Sequence, residues 1–163
     1  MNYMDKNQAM IDYLIQCPAI RDNPLFFNFI NAKEDNKQFI TVANDKVINR
    51  QFIDGSVLKR YTMTLIDFKS IIYQSIVKET GYPNENVEDM FDVQEIMDWV
   101  NEQNKLQLFP DFGADCVIQS IQTVTDNPNL NGIDTSTTPA TAKYSFSIQV
   151  EYLDNTDVLW GKE

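Results

Sequence analysis

Histidine is absent from this chain. Its absence removes the commonest general base and the commonest metal ligand, and with them His-dependent triads and His-containing zinc sites. Cysteine is scarce. Cys17 and Cys116 are the two present, with no CxxC spacing, so no redox motif or disulfide framework is indicated. Each reads as a small, partly buried hydrophobe, because no imidazole exists to activate a thiolate. No apolar run approaches the roughly 18 residues that span a bilayer, and residues 1–10 lack a basic start followed by an apolar stretch. A soluble intracellular protein is the expectation. Glycine is also sparse, and neither a Walker nor a dinucleotide-binding glycine pattern occurs. Positive charge is outnumbered: 13 Lys and Arg against 24 Asp and Glu leave a net charge of −11. Coating a nucleic-acid duplex or an anionic membrane is therefore disfavoured.

The 163 residues suffice for one core, and an aromatic share of 12% separates the chain from a disordered acidic tail. Met10, Ile11, Leu14 and Ile15 recur at one-turn spacing, which predicts an amphipathic helix over residues 7–16, ended by Pro18 and Pro24. Residues 25–30 and 39–42 are aromatic and β-branched around a polar tip, the texture of two short strands. Residues 47–53, then Asp54-Gly55, then residues 58–68 predict an extended β-hairpin. The run 70–78 fits either a continued strand or a helical turn. Residues 86–105 read as the principal helix, with Asn86 as N-cap, Glu88 and Asp89 in the first turn, and Met90, Val93, Met97 and Val100 on its apolar stripe with Trp99. Residues 116–125 read as a bulged strand. From 141 to 152, Ala142, Tyr144, Phe146, Ile148, Val150 and Tyr152 alternate with polar residues, as in a strand buried on one face. Residues 126–139 read as a long surface loop.

The expected architecture is α+β: an antiparallel sheet with the N-terminal helix and one longer helix packed on one face, and an extended β-hairpin. Residues 1–153 are expected to form this domain and 154–163 a C-terminal tail. Trp160 lies in that tail, outside any periodic pattern, and suits either folding back onto the domain or docking on a partner.

Two charged segments are candidates for interaction. Glu88, Asp92, Glu95 and Glu102 line one side of the long helix with no cation before Lys105. A solvated face and a partner-facing acidic surface are the main readings, and a carboxylate site for catalysis or a cation is the remaining one. Lys46, Arg50, Lys59, Arg60 and Lys69 stand against only Asp54 and Asp67 in the hairpin segment. Opposed basic and acidic faces on one subunit suit a head-to-tail contact between identical copies, and such contacts close into rings.

The hairpin string Val47-Ile48-Asn49-Arg50-Gln51-Phe52-Ile53-Asp54-Gly55-Ser56, continuing Leu58-Lys59-Arg60-Tyr61, resembles the hairpin of tailed-phage minor capsid or tail-completion proteins of the tail-terminator kind. The helix end Met97-Asp98-Trp99-Val100-Asn101-Glu102-Gln103-Asn104, with its exit from Phe109 through Pro110 to Gly113, is similar to that family's helix, and the closing strand near Tyr152 is a third likeness. The resemblance covers residues 10–152. It implies a small α+β subunit that forms a ring, commonly of six, on the head-proximal end of a phage tail. Its implied partners are itself, the tail tube protein, the head-completion or connector protein, and a sheath protein where the tail contracts. DNA would pass only through the lumen, which the net negative charge suits; no membrane, cofactor or metal is implied, and no catalytic residue. The implied location is the virion, with assembly in the host cytoplasm. A head-closure adaptor at the capsid vertex is the neighbouring alternative, and a carboxylate-dependent enzyme belongs to a third class.

Overall fold

Apolar residues that alternate along a strand need a second layer on one side only, and two helices among the described residues supply it. The structure, a computed structural model, describes residues 3–20, 25–27, 39–49, 52–70, 84–134 and 141–156. In chain order the described elements are α1 (Tyr3–Leu14), β1 (Leu25–Phe27), β2 (Phe39–Asn49), β3 (Val57–Ser70), α2 (Asn84–Leu106), β4 (Cys116–Thr123), β5 (Asn129–Asp134) and β6 (Thr141–Asp154). The class is α+β, as the sequence predicts.

The strands form one sheet in the order β1-β2-β3-β6-β4. The two 14-residue strands β3 and β6 pair antiparallel over their whole length, from Val57 with Asp154 to Ser70 with Thr141. On the other edge of β6, β4 covers the end from Ile148 to Asp154 and β5 covers the end from Thr141 to Ser145. The segment expected as a surface loop at 126–139 therefore contains a paired strand. Its Asn, Gly and Asp content reads as loop, but Leu130 and Ile133 sit opposite β6, and pairing overrides weak local propensity. The bulge expected in β4 falls between Ile118 and Ser120.

β1 pairs with β2 in parallel, Leu25 opposite Phe39, and the short strand expected at 39–42 is the start of an 11-residue strand that also takes in the beginning of the hairpin arm expected at 47–53, whose residue Ile53 lies in the turn. Residue texture identifies strands but not their direction. The long hairpin is present, with β2 and β3 antiparallel from Phe39 opposite Asp67 to Asn49 opposite Leu58, and a register shift between Val47 and Asn49. The run 71–78 lies outside the described residues; Ser70 ends β3.

The alternation predicted for β6 is realised. Tyr144, Phe146, Ile148, Val150 and Tyr152 are buried beside Tyr61, Met63 and Leu65 of β3 and Ile121 of β4. Above them pack Met10, Tyr13 and Leu14 of α1 and Val93, Ile96, Met97 and Val100 of α2. α1 ends at Leu14, and Cys17 and Ile20 continue its buried stripe through tight turns in which Cys17 donates to the Leu14 carbonyl and Ile20 to that of Cys17, both at 3.0 Å. Ile15, expected on the stripe, is exposed because offsets of three and four from Met10 lead through Tyr13, Leu14 and Cys17 instead. Phe112 was not singled out by periodicity, yet it is a keystone: its ring meets Tyr61 and Tyr152 edge-on, with both centroid separations 5.4 Å. Trp99, expected in the core, is half-buried at its margin, 5.2 Å from the Tyr13 ring.

α2 begins at Asn84, so Asn86 lies inside its first turn instead of capping it; both are N-cap residue types, and type does not choose between them. Its far end is a Schellman turn. Leu108 donates to the Gln103 carbonyl at 3.0 Å and Gln107 to that of Asn104 at 3.1 Å, with Gln107 at φ 56°. Glycine is the usual residue there, since a Cβ is disfavoured in the left-handed region. Gln107→Gly is therefore expected to raise unfolding free energy by about 0.5–1 kcal/mol in urea titrations with an unchanged m value.

Candidate functional site

The hairpin end of the sheet begins with a turn that the sequence builds locally. Gly55 takes φ 88° and donates to the Phe52 carbonyl at 3.2 Å. The Asp54 carboxylate accepts from the Ser56 hydroxyl at 2.7 Å and from its backbone amide at 2.9 Å. These bonds hold the Asp54 carboxyl below the usual aspartate range, the Ser56 hydroxyl contributing most. The turn is thus pinned, and it carries apolar side chains into solvent. Ile53 is 92% exposed, with Phe52 and Ile48 at 38% and 40%. This cluster was not anticipated, because alternation identifies a strand's inner face and says nothing of a turn's tip.

The basic residues expected to make the hairpin attractive are used differently. The Lys59 ammonium lies 2.7 Å from the Asp154 carboxylate, and the Arg60 guanidinium donates to Glu151 at 2.7 and 3.2 Å. Both acids belong to β6. The excess cationic charge read along the hairpin is therefore offset across the sheet, which a one-dimensional count misses. Lys46 lies on β2 opposite Arg60, exposed and without an ion-pair partner among the described residues. Lys69 occupies the end of β3 opposite Ala142, and Arg50 and Trp160 lie outside the described residues.

The acidic side chains ride on α2. Glu95 and Glu102 are exposed, Glu102 being 3.8 Å from Lys105, while Glu88 and Asp92 occupy the first half of the helix. Three contacts fix the direction of α2: Gln94 reaches the Asp126 carbonyl at 3.0 Å, Asn101 reaches Thr123 at 3.0 Å, and Asn104 reaches the Ile121 amide at 3.1 Å. The helix therefore runs toward the hairpin end, and its acidic first half lies toward the opposite end of a ribbon about 46 Å long. Glu102 lies in the half of α2 nearer the hairpin, and among the described residues no ion pair joins a basic hairpin candidate to an acidic candidate of α2.

Beneath the hairpin lies a buried polar clasp that sequence reading missed. Lys6 of α1 donates to Asp45 of β2 at 2.8 Å and to the Tyr152 hydroxyl at 2.5 Å, and that hydroxyl donates to the same Asp45 oxygen at 2.6 Å. Beside it the Tyr61 hydroxyl donates to the buried side-chain oxygen of Asn7. Burial, then the bond to Asp45 and its charge, push the Tyr152 phenol far above its ordinary range. The arrangement ties the start of α1 to three strands, and a signal in the sequence was the pair of polar residues Lys6 and Asn7 on the helix face leading to Met10.

A shallow depression of about 410 Å³ separates α1 from residues 109–111, lined by Asp12, Tyr13, Gln16, Phe109 and Asp111 among others. The Tyr13 hydroxyl is committed to the Leu108 carbonyl at 2.7 Å, and burial raises its phenol well above the ordinary range. Cys17 and Cys116 are free thiols, both raised chiefly by burial, which disfavours the reactive thiolate. Among the described residues, no three His, Cys, Asp or Glu side chains are grouped to hold a metal ion, and no helix is long and apolar enough to cross a membrane. Comparison with protein-family models finds no match, and comparison with curated proteins finds no relative.

Two outcomes follow from these contacts. Lys6 is 5% exposed, so Lys6→Met leaves Asp45 and Tyr152 without their cation and is expected to cost about 3 kcal/mol in denaturant unfolding. Adding Asp45→Asn to that variant should recover part of the loss, since the orphaned charge is then gone. For Asp154, burial alone would raise the carboxyl, but the bonds from Lys59 and Thr156 outweigh it and hold it below the usual range. A lowered folded-state value means stability that is present above the ordinary aspartate range near pH 4 and lost as pH falls below it. Asp154→Asn should thus cost about 1 kcal/mol at pH 6, allowing for solvent screening, and markedly less at pH 2.5, read as the difference in urea midpoints.

Proposed function

We propose that the chain is a structural subunit of a tailed-phage virion, a tail terminator that closes into a ring on the head-proximal end of the tail tube, stops its growth and meets the head connector. One observation carries this reading: a pinned hairpin turn holds Ile53 in solvent with Phe52 partly exposed beside it, an arrangement that suits contact with another protein surface. The hairpin and the acidic half of α2 point to opposite ends of the sheet, as a head-to-tail contact between identical copies requires. The likeness of the Ile53-Asp54-Gly55-Ser56 turn, the Trp99 helix and the long closing strand to tail terminators supports the same reading. On this reading the protein sits in the virion with the tube and connector proteins as neighbours and DNA crossing the lumen of the ring.

Electron microscopy of particles made without the protein tests the proposal. Overlong or headless tails are expected; tails of normal length on heads that fail to close would assign it instead to the capsid vertex as an adaptor. Ile53→Asp, at a fully exposed position, should leave folding intact by circular dichroism and reproduce the defect of the missing protein. Reversal of Lys59 and Arg60 is a poorer probe, because it breaks ion pairs inside the subunit.

A further inference from the structure

Strand β4 lies at the edge of the sheet, and its sequence is that of a segment prone to pair with other strands. Residues 116–125, Cys-Val-Ile-Gln-Ser-Ile-Gln-Thr-Val-Thr, contain no charge, no proline and no glycine, and are rich in β-branched residues. Edge strands are usually protected by lysine, proline or a covering element. Here the first two are missing.

The register shows which backbone groups face outward. Val124 donates to the Ser147 carbonyl at 2.9 Å, and Gln122 is opposite Gln149, so the amides of 122 and 124 turn toward β6. The amides of Ile121 and Thr123 consequently face away from β6, where an added strand would take them. Both are occupied by α2. Asn104 Oδ1 accepts from the Ile121 amide at 3.1 Å, and Asn101 Oδ1 accepts from the Thr123 amide at 3.3 Å, while Asn101 Nδ2 donates to the Thr123 hydroxyl at 3.0 Å. Two asparagines one helical turn apart thus meet two amides two residues apart on the strand, and their side-chain carbonyls stand where a neighbouring strand's carbonyls would be.

We propose that Asn101 and Asn104 are an intramolecular guard that keeps the β4 edge from pairing with the β4 edge of a second copy. The match of acceptors to outward amides, together with the uncharged edge they cover, assigns this role, and it stands independently of the ring reading. An edge left open would join two copies through their β4 strands into one continuous sheet, a closed pair that competes with any other assembly.

The test replaces both asparagines by alanine in the full chain and reads amide exchange and sedimentation. At low concentration the amides of Ile121 and Thr123 are expected to exchange about tenfold faster or more than in the parent, with the core of β6 still protected. At high concentration the variant should form larger species in which those two amides become protected again. Asn101→Asp with Asn104→Asp keeps an acceptor at each position and should behave as the parent. Gln122→Lys, which places a charge in the uncharged run, should abolish the association of the alanine pair. If the double variant loses helix content, Asn101→Ala alone gives the same readout at Thr123, with Asn104 still holding Ile121. Unchanged exchange at these amides overturns the proposal. So does faster exchange with no added association, or association that leaves the two amides unprotected.

Discussion

The one-sided burial of β6 is the constraint on which the rest of the structure depends. Its inward residues from Tyr144 to Tyr152 form the floor of the core, and β3 pairs with it along all 14 residues. A register slip of one residue would turn five large apolar side chains to the other face, so the pairing has one acceptable alignment. The cross-strand ion pairs Arg60–Glu151 and Lys59–Asp154 exist because that alignment sets them opposite or diagonal to one another. α1 and α2 then cover the floor, and the Phe112 ring fills the space where the two tyrosines of β3 and β6 meet.

Upon this floor the polar clasp decides where α1 sits. Hydrophobic contact tolerates sliding, whereas the Lys6 ammonium is satisfied only where Asp45 and the Tyr152 hydroxyl converge. The clasp therefore adds position more than energy, since taking both charges out of water offsets much of their attraction. Its location below the hairpin links the base of the exposed turn to the first helix, so the apolar tip projects from a supported stem.

Strands and helices with clean periodicity were legible in the sequence: β6, β3, the turn at Asp54-Gly55 and the body of α2 each announce themselves by spacing or by a residue with a special backbone role. Features that depend on distant chain segments were not. β5 looks like loop until β6 is placed beside it, and β1 gives no sign of running parallel to β2. Lys59 and Arg60 appear uncompensated because their partners lie about 90 residues away. The same limit hid Lys6 with Asp45, Phe112 with its tyrosines, and the apolar tip, whose exposure is a property of three dimensions. Charge counts along the chain thus misjudged the hairpin, while the exposed acids Glu95 and Glu102 on α2 are where helical spacing puts them.

The order of the strands has a consequence for biosynthesis. β6 lies between β3 and β4, yet it leaves the ribosome after both. Until residues past 141 emerge, the nascent polypeptide holds two unjoined halves of a sheet, neither with its floor. Folding thus waits for late synthesis, a non-local closure of the kind that makes β-rich topologies slow. Truncated translation products would lack the central strand and with it the floor of the core.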